Sequence, residues 1–436
     1  RAVVPAALSG TIGVKDGTWI HKVAGPGSRL DLAVAEVAED YCAARRYEQE
    51  ADARKDRWDA QWADARAKTI ADDEVISFLS RKVVIPKYGF PVDVVELDLH
   101  RRKRGASREA LDVTLERDLA IAVGEFAPES EVVANKKLWK SCGLKRVAAK
   151  EWPRRAYSKC NTHGFRSWDT TDPLGRVCCD QADRGQYVDP IFGFVADRTK
   201  TAEDAKFRPQ RQFTTRPYFV RPEREEEPIE VLGVARMWRA SQGHLAVLCE
   251  GRKGRGFYVC ERCGAGSTKP LGEHRTPLGA SCSGKALRVA LGHEFLTDVL
   301  RVEFVVRPDS AYAAHPLIWF AYSLAYALHH GATEVLEVPA TDLEVTVRLG
   351  SGGAALPEIV LYDNVPGGAG LVAELESHEV FRRALGEALQ RVEGGCGCGP
   401  DTSCYGCLRS YANQFAHPHL ARGPAAAYLK TALARW

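Results

Sequence analysis

The pattern of apolar and polar residues divides the 436-residue chain into regions with different expected structures. Residues 30–85 contain no Gly or Pro and are rich in Ala, Glu, Asp and Arg, which predicts a helix or helical hairpin with solvated, charged faces. Within them, Trp58, Trp62 and Ile70 form an apolar stripe suited to packing against a neighbouring element. Residues 76–97 pass through a turn rich in Pro and Gly into a β-branched run, which predicts a first strand.

The last third of the chain alternates β-branched runs with one long apolar stretch. That stretch, residues 316–328, is too short to span a bilayer, so we expect a buried helix over residues 316–330. A glycine-rich turn at residues 363–370 has backbone N–H groups that suit a phosphate of DNA, but tight helix–sheet packing demands the same glycines. The other elements expected here are strands at 299–306, 343–349 and 358–362, a helix starting at Leu371 and a helix over 408–422.

These patterns predict an α+β (mixed α/β) protein with several domains stapled by small Cys-rich zinc-binding modules. The content of 45% apolar and 27% charged residues is ordinary for a globular chain of this length. The sequence does not begin with Met and has abrupt joins, so we expect segments to be missing from it. The expected regions are a helical one at 1–75, a mixed α/β one with a basic and aromatic surface at 76–230, a zinc-ribbon-like insertion at 231–290 and a C-terminal domain at 291–436.

Four closely spaced cysteines near the C-terminus carry the most specific chemistry. They lie within twelve residues in the pattern C-x-C-x5-C-x2-C, and the small residues between them let four thiolates converge on a tetrahedral Zn²⁺. A closed site of four thiolates leaves no position for water, so the zinc is expected to be structural. Disulfides and an iron–sulfur cluster are the alternatives, and the absence of a signal peptide from the given sequence disfavours disulfides. The four candidate ligands are Cys396, Cys398, Cys404 and Cys407.

A second group of cysteines predicts a zinc ribbon. Cys260 and Cys263 form a C-x2-C knuckle, and His274 and Cys282 follow after a glycine-rich turn, which gives a Cys3His ligand set. Buried free thiols are the alternative. Cys249 and His293 are available as substitute ligands.

A third group is weaker. Cys160 and His163 are spaced as half of a metal site, but the opposite half would be the adjacent pair Cys178 and Cys179. Adjacent cysteines rarely bind one ion together, so the question of a further metal site at these four residues stays open.

Basic residues cluster locally, although the net charge is only +3. Runs occur at residues 101–104, 136–159 and 198–224, and aromatic residues are interleaved with the last two. Such surfaces neutralise phosphates and stack on unpaired bases, whereas a merely solvated face is the alternative for each run. The candidate DNA-binding residues are Lys136, Lys137, Lys140, Lys145, Arg146, Arg154, Arg155, Arg208, Arg211 and Arg216.

The sequence offers no complete catalytic constellation. Residues 279–286 follow the phosphate-loop pattern until Ala286, which replaces the Ser or Thr that would hold Mg²⁺. Cys282 inside this run is better explained as a zinc ligand. A metal-dependent nuclease, the competing hypothesis, would have to use Asp363 or the set His293, Glu294 and Asp298.

Several motifs resemble a known family of DNA repair helicases. The run Tyr-Asp-Asn-Val-Pro-Gly-Gly-Ala-Gly (362–370), the four C-terminal cysteines and the following Leu-Arg-Ser-Tyr-Ala-Asn-Gln are similar to the zinc-binding domain that ends MrfA-like helicases. Leu-Gly-His-Glu-Phe-Leu-Thr-Asp-Val-Leu (291–300) and Pro-Lys-Tyr-Gly-Phe-Pro (86–91) extend the resemblance. The helicase motor that precedes this domain in that family is absent from the given sequence.

A chain that has this zinc-binding domain but no helicase motor resembles the DrmB-type subunits of the DISARM anti-phage system. Asn-Lys-Lys-Leu-Trp-Lys (135–140) and Tyr-Val-Asp-Pro-Ile-Phe-Gly-Phe (187–194) are similar to that family as well. The resemblance implies a non-catalytic, cytoplasmic accessory subunit that pairs with a DrmA-type helicase and binds phage DNA. A motor-separated fragment of a DNA repair helicase is the alternative from the same resemblance.

Overall fold

The computed structural model describes the following residues of the chain: 18–55, 93–99, 113–147, 150–160, 164–172, 179–197, 203–204, 213–222, 228–231, 233–306, 317–348 and 357–436, with scattered helical positions between 60 and 79. The chain forms two compact units, Arg1–Val92 and Asp93–Trp436. Helices and mixed sheets are both present, so the predicted fold class is confirmed.

The regular elements described in the first unit are helices, and the predicted helical region at 1–75 stays a prediction. It contains α1 (Thr18–Ala24) and α2 (Arg29–Ala53), and the Ser28 side chain caps α2 by accepting a hydrogen bond from the Asp31 N–H at 3.2 Å. Arg45 on α2 forms an ion pair of 3.1 Å with Asp64, which lies among the helical positions beyond residue 59. This contact places part of the following helical segment alongside α2, as a helical hairpin requires. The predicted packing stripe is only partly described, because Trp58 and Trp62 lie outside the described residues.

The second unit contains all nineteen strands and five further α-helices of the described residues. The helices are α3 (Leu119–Glu125), α4 (Leu317–Leu336), α5 (Leu371–Glu374), α6 (His378–Val392) and α7 (Arg422–Ala434). The strands are β1 (Val94–Asp98), β2 (Glu116–Asp118), β3 (Glu131–Ala134), β4 (Lys137–Leu144), β5 (Arg154–Cys160), β6 (Gly164–Asp169), β7 (Asp183–Val188), β8 (Phe194–Ala196), β9 (Glu203–Asp204), β10 (Arg216–Pro222), β11 (Ile229–Val231), β12 (Ala235–Cys249), β13 (Phe257–Cys260), β14 (Gly266–Ser267), β15 (His274–Arg275), β16 (Ser281–Cys282), β17 (Ala286–Phe304), β18 (Leu343–Arg348) and β19 (Glu358–Asp363).

Two long antiparallel strands, β12 and β17, form the centre of the main sheet. They pair from Ala235 opposite Phe304 to Cys249 opposite Leu291, with an irregularity between Ala240 and Gly243. The path through this sheet is β10-β12-β17-β7-β5-β6, and β19 with β18 joins at one end of β17. The short strands β13 to β16 lie between β12 and β17 in the chain, so the region with the Cys260 knuckle is inserted within this pair.

Strand β17 at the centre of the main sheet has buried residues on both faces, so its apolar residues do not alternate cleanly with polar ones. On one face Leu300, Val302 and Phe304 pack with residues of α4, α6 and α7. On the other face Phe295 and Val299 pack with α3 and with the second sheet, whose strand order is β2-β1-β8-β4-β3. The sheet is therefore the middle layer between helices and a smaller sheet.

The helices on the first face follow from their sequence patterns. In α6 the buried residues Phe381, Ala384, Leu385, Ala388 and Val392 recur at helical spacing, which produces one apolar face. The predicted apolar helix is α4, which begins at Leu317 as expected but continues to Leu336, six residues beyond its predicted end, and is buried along most of its length. Within the described part of the chain, no helix has the length and apolarity needed to cross a bilayer.

One predicted helix is wrong. Residues 408–422 contain a short 3₁₀ helix at Gln414–His419, and the next α-helix starts only at Arg422. Pro418 lacks an N–H and cannot continue a helical hydrogen-bond ladder. Asn413 instead donates a side-chain hydrogen bond to the Leu408 carbonyl and accepts one from the Ser410 N–H, both at 2.8 Å, which stabilises a turn.

The predicted regional limits can be placed on this architecture. The predicted boundary after residue 230 falls within β11, and the predicted boundary after residue 290 falls within β17. The main sheet therefore includes strands from both sides of each boundary. The limit after residue 75 precedes the division between the two units at Val92 and Asp93. The four-part division of the chain stays a prediction.

A glycine substitution tests the contact between α4 and α6. A Cβ added at Gly331 would lie 2.0 Å from the Ala384 carbonyl oxygen, so Gly331→Ala should force the helices apart and lower stability by roughly 1–3 kcal/mol. The matched control is Gly386→Ala on α6, where a Cβ meets nothing within 4 Å and should stabilise the helix by roughly 0.5–1 kcal/mol. Calorimetric melting of both variants provides the measurement, and a Gly331→Ala variant as stable as the parent would contradict the close packing.

Candidate metal centres

The four C-terminal cysteines converge on one point. Their sulfur atoms all lie within 4.8 Å of one another. Individual separations are 3.4 Å for Cys396–Cys398, 3.8 Å for Cys398–Cys407 and 3.9 Å for Cys404–Cys407. Zn–S bonds of about 2.3 Å in a tetrahedron place sulfurs about 3.8 Å apart, so the cluster has the dimensions of a four-thiolate zinc site.

Two arginines from neighbouring helices hold the cysteine loops in place. Arg422, at the start of α7, donates to the Cys398 carbonyl at 2.9 and 2.7 Å and to the Val392 carbonyl at 3.1 Å. Arg391 on α6 donates to the Cys407 carbonyl at 3.2 Å. The loop is thus attached through its backbone to both helices that flank it.

The electrostatics of these thiols favour a bound cation. A backbone N–H and the neighbouring thiol of Cys398 lower the pKa of Cys396 to about 7, which favours its thiolate. Burial raises the pKa of Cys407 to about 12, so its thiolate needs a positive partner. A divalent metal supplies that charge, and the cluster suits a structural zinc ion.

The second predicted group also comes together. Cys260, Cys263, His274 and Cys282 offer ligand atoms within 4.8 Å of one another. The Cys263 sulfur lies 3.3 Å from the His274 Nε2, and the Cys260 and Cys282 sulfurs are 3.9 Å apart. His274 Nδ1 lies 2.7 Å from the Gly272 carbonyl, a contact that places the proton on Nδ1 and leaves Nε2 free to bind a metal. This cluster likewise suits structural zinc.

The local chain is shaped around this second cluster. The strand pair β15–β16 sets His274 opposite Cys282, so the run that mimics a phosphate loop is part of the ribbon. A Cβ added at Gly284 would lie 2.7 Å from the Cys260 sulfur, so only glycine fits there. The two substitute ligands lie elsewhere: Cys249 is buried in the core of the main sheet, and His293 faces Asp189.

The third cysteine group is described only in part. Cys160 and Cys179 line the same cavity, whereas His163 and Cys178 lie outside the described residues. Whether these four residues form a site therefore stays an open prediction.

The candidate DNA-binding residues occupy several strands. Lys136 lies exposed in the tight turn between β3 and β4, and Lys137 and Lys140 follow on β4. Asn135 and Lys136 both have positive φ, at 49° and 59°, as a two-residue hairpin turn requires. This β3–β4 hairpin carries three of the predicted cations on one short element. Arg208 and Arg211 lie outside the described residues.

Most of the other predicted cations are engaged inside the fold. Lys145 pairs with Asp98 at 3.1 Å, Arg154 with Glu261 at 3.2 Å and Arg155 with Glu294 at 3.2 Å. Arg146 lies over the Trp152 ring, with its Cζ 4.7 Å from the ring centroid. Arg216 is surrounded by aromatic rings. A basic run in the sequence is therefore divided here between paired and exposed side chains.

Five of the interleaved aromatic residues are buried and so are not available for stacking on bases. They leave at most 8% of their surface exposed, because their apolar area drives them into the protein. Tyr218 is partly buried, and Phe207 lies outside the described residues. The buried aromatics from the two runs are Trp139, Trp152, Tyr157, Phe213 and Phe219.

The glycine-rich turn at residues 363–370 has no free phosphate cradle. The buried Asp363 carboxylate accepts hydrogen bonds from the N–H groups of Ala369, Leu371 and Val372 at 2.7–3.0 Å. Asp298 accepts from the Gly370 N–H at 3.0 Å. These carboxylates occupy the donors that a phosphate would need, so the turn serves packing between β19 and α5.

The carboxyl groups of Asp298 and Asp363 at this turn both have raised pKa values. Burial raises the pKa of Asp298 to about 6, and the neighbouring Asp363 adds to this effect, although the Gly370 N–H opposes it. Burial also raises the pKa of Asp363 above its ordinary value against the opposing backbone N–H groups.

A buried ion pair was missed by sequence reasoning. His293 on β17 faces Asp189, with its Nδ1 3.1 Å from the carboxylate, and Asp93 lies 3.8 Å from its Nε2. Burial opposes charge on His293, but the two carboxylates raise its pKa to about 10. No local pattern marks this group, because Asp189 is 104 residues away in the chain.

The C-terminal region matches a known zinc-binding family. The family described as the MrfA Zn-binding domain matches residues 324–408, which include all four C-terminal cysteines. The chain is also 25% identical over 418 residues to Druantia protein DruE of Escherichia coli (strain UMEA 4076-1), an alignment that covers 83% of this chain. It spans only 22% of the length of that relative.

Two solved structures resemble part of the chain. The DUF1998 helicase MrfA bound to DNA gives a TM-score of 0.36 at 12% identity, covering 74% of this chain and 32% of that one. The same helicase bound to DNA and AMPPNP gives a TM-score of 0.27 at 11% identity, covering 70% and 29% respectively.

Serine substitutions test the two metal centres separately. Cys404→Ser and Cys282→Ser should each lower the zinc content by about one ion per chain, because each removes one of four ligands. The control is Cys42→Ser, an exposed cysteine on α2 outside both clusters. Zinc is measured by mass spectrometry of the purified protein, and an unchanged zinc content in Cys404→Ser would overturn the assignment.

The raised pKa of Asp298 predicts a pH effect on stability. A carboxyl group whose pKa is raised on folding contributes stability at low pH and loses it as the pH rises through its folded pKa, here about 6. Asp298→Asn cannot titrate and still accepts the Gly370 hydrogen bond. Its melting temperature should therefore rise relative to the parent between about pH 4 and pH 7. The exposed Asp180→Asn serves as the control, and parallel pH profiles of parent and Asp298→Asn would contradict the assignment.

Proposed function

We propose that this chain is a zinc-containing, non-catalytic accessory component of a helicase system in bacterial anti-phage defence. Its partner would be a DrmA-type ATP-dependent helicase, and its ligand would be phage DNA in the cytoplasm. Both cysteine clusters would hold structural zinc. The observation that carries the proposal is a compact four-sulfur cluster in a region that matches the MrfA Zn-binding domain, within a chain similar to a defence protein.

The use of the acidic residues supports a non-catalytic role. The polar groups that a nuclease would need have internal partners: Asp363 and Asp298 accept from backbone N–H groups, and His293 pairs with Asp189. Glu294 accepts from the Tyr187 hydroxyl and pairs with Arg155. Among the described residues, no three of these groups bring their ligand atoms together as the members of the two cysteine clusters do.

The charge distribution favours the β3–β4 hairpin as the DNA contact. Lys136 is exposed at its tip, whereas Lys145, Arg154 and Arg155 already have carboxylate partners. A paired cation contributes less to phosphate binding, because its partner repels the phosphate and must be displaced.

A second candidate function follows from the length of the relative. This chain spans 22% of DruE, so it also fits the zinc-bearing part of a larger helicase polypeptide whose motor lies in another segment. In that case the contact with the motor would be intramolecular. The DNA-binding and structural zinc roles are the same under both hypotheses.

Charge reversal on the hairpin tests the proposal. The double variant Lys136→Glu/Lys140→Glu should weaken binding to DNA and reduce the salt slope of its affinity by about two, since two phosphate contacts are lost. Affinity is measured by fluorescence anisotropy at several salt concentrations, with and without the helicase partner, and we expect tighter binding in its presence.

The control carries the same change in net charge on other faces. Lys269→Glu/Arg383→Glu changes two exposed residues, one in the ribbon and one on α6, and should leave the salt slope unchanged. Equal losses in both double variants would show a general charge effect and remove the hairpin from the proposal. Cleavage of DNA by the chain alone would replace the accessory role with the nuclease hypothesis.

A further inference from the structure

A cavity of about 370 Å³ lies beside the main sheet, apart from both cysteine clusters. Its walls come from β5, β6, β7, β10, α4 and β18. Three cations contribute to the lining, Lys159, Arg216 and Arg348, and the apolar side chains of Ile318 and Val347 line it as well. Its volume is within the range of small-molecule sites and exceeds what a bare ion needs.

Arg216 is the distinctive group in this cavity. Its guanidinium lies 5.3 Å from the ring centroid of Tyr218 and 5.8 Å from those of Tyr322 and Phe415. It donates one hydrogen bond, of 2.5 Å, to the Tyr322 hydroxyl. Among the residues that the structure describes, no carboxylate lies within ion-pair distance of it.

The two other cations of the lining differ in this respect. Lys159 pairs with Asp183 at 3.3 Å and also with Glu250. Arg348 pairs with Glu358 at 2.9 Å, a carboxylate that it shares with Arg301. Asp183 also lines the cavity. Four cations, Lys159, Arg216, Arg301 and Arg348, therefore face three carboxylates, Asp183, Glu250 and Glu358, which leaves an excess of one positive charge. Arg216 is the member of this group without a carboxylate at ion-pair distance among the described residues.

A largely buried cation without a counter-ion is unfavourable, and ring faces offset this only in part. Burial lowers the pKa of Arg216, but the tyrosines around it, the hydrogen bond to Tyr322 and the charge of Glu250 outweigh this, so the group stays a cation. A guanidinium with free donors on a cavity wall matches the two oxygens of a phosphate group. The Tyr322 hydroxyl, which accepts from Arg216, retains its own proton to donate to the same anion.

We propose that this cavity binds the phosphate group of a nucleotide. Arg216 and Tyr322 would hold the phosphate, and the apolar wall of Ile318 and Val347 would contact its organic part. The nucleotide could be free or belong to a DNA strand, since both present the same group. Binding of a free nucleotide goes beyond the proposed function. Binding of a nucleotide within a DNA strand rests on the proposed function and would give the protein a second contact with DNA besides the hairpin.

Titration calorimetry of the 436-residue chain tests the proposal with deoxyadenosine 5′-monophosphate, deoxyadenosine and a short oligodeoxyadenylate. The monophosphate should bind the parent and deoxyadenosine should not. Arg216→Met should weaken monophosphate binding by about 10- to 100-fold, the effect expected for losing a hydrogen-bonded charge pair. Arg236→Met, on the exposed part of β12, is the matched control and should bind as the parent does.

Further variants make each outcome decisive. Circular dichroism checks that Arg216→Met is folded; if it is not, Tyr322→Phe, which keeps the ring, replaces it and should weaken binding several-fold. If these variants no longer bind the monophosphate but still bind the oligonucleotide, the ligand of the cavity is a free nucleotide. If they bind neither, the ligand is a nucleotide within a DNA strand. No binding of monophosphate or oligonucleotide by the parent, or equal binding by parent and variants, overturns the proposal. The hairpin variant Lys136→Glu/Lys140→Glu is tested in the same way. If it no longer binds DNA but still binds the monophosphate, the cavity binds its ligand independently of the DNA contact in the proposed function.

Discussion

The pairing of β12 with β17 is the constraint on which the second unit depends. Because both faces of these strands are buried, a register shift of one residue would exchange the side chains of the helical layer with those of the second sheet. The same pair carries the ribbon within it and receives β19 at its other end. The C-terminal knuckle in turn packs against helices that lie on this sheet. The two cysteine clusters are thus attached to one framework whose register fixes the position of each.

Features set by neighbouring residues could be predicted from the sequence, and features set by distant contacts could not. The cysteine clusters were predictable because their ligands are close neighbours in the sequence, as Cys396 and Cys398 or Cys260 and Cys263 are. The helix α4 followed from its composition. The ion pair of His293 with Asp189 depends on strands that meet only in the folded sheet, so no local pattern indicates it. The predicted helix over 408–422 failed because Pro418 and the Asn413 turn outweighed the helical propensity of the other residues.

The basic runs show the same limit for charge. In the sequence Lys136 and Arg155 belong to one run, yet one is exposed on a hairpin and the other is paired with a glutamate on β17. Arg216, from another run, is enclosed by aromatic rings without a carboxylate partner among the described residues. A count of cations therefore measures composition, whereas the partner of each cation decides what it can bind. This distinction separates a DNA-binding surface from a structural ion-pair network more clearly than net charge does.

The attachment of Arg422 makes the shape of the cysteine loop depend on the last helix. Its guanidinium joins the carbonyls of Cys398 and Val392, so the loop is held in this shape while α7 lies beside α6. Cysteine thiolates supply the metal affinity, and this helix contributes to their preorganisation. The geometry of the C-terminal cluster thus depends on residues near both of its ends. Retention of zinc by this chain would then report that its last helix has reached its native position.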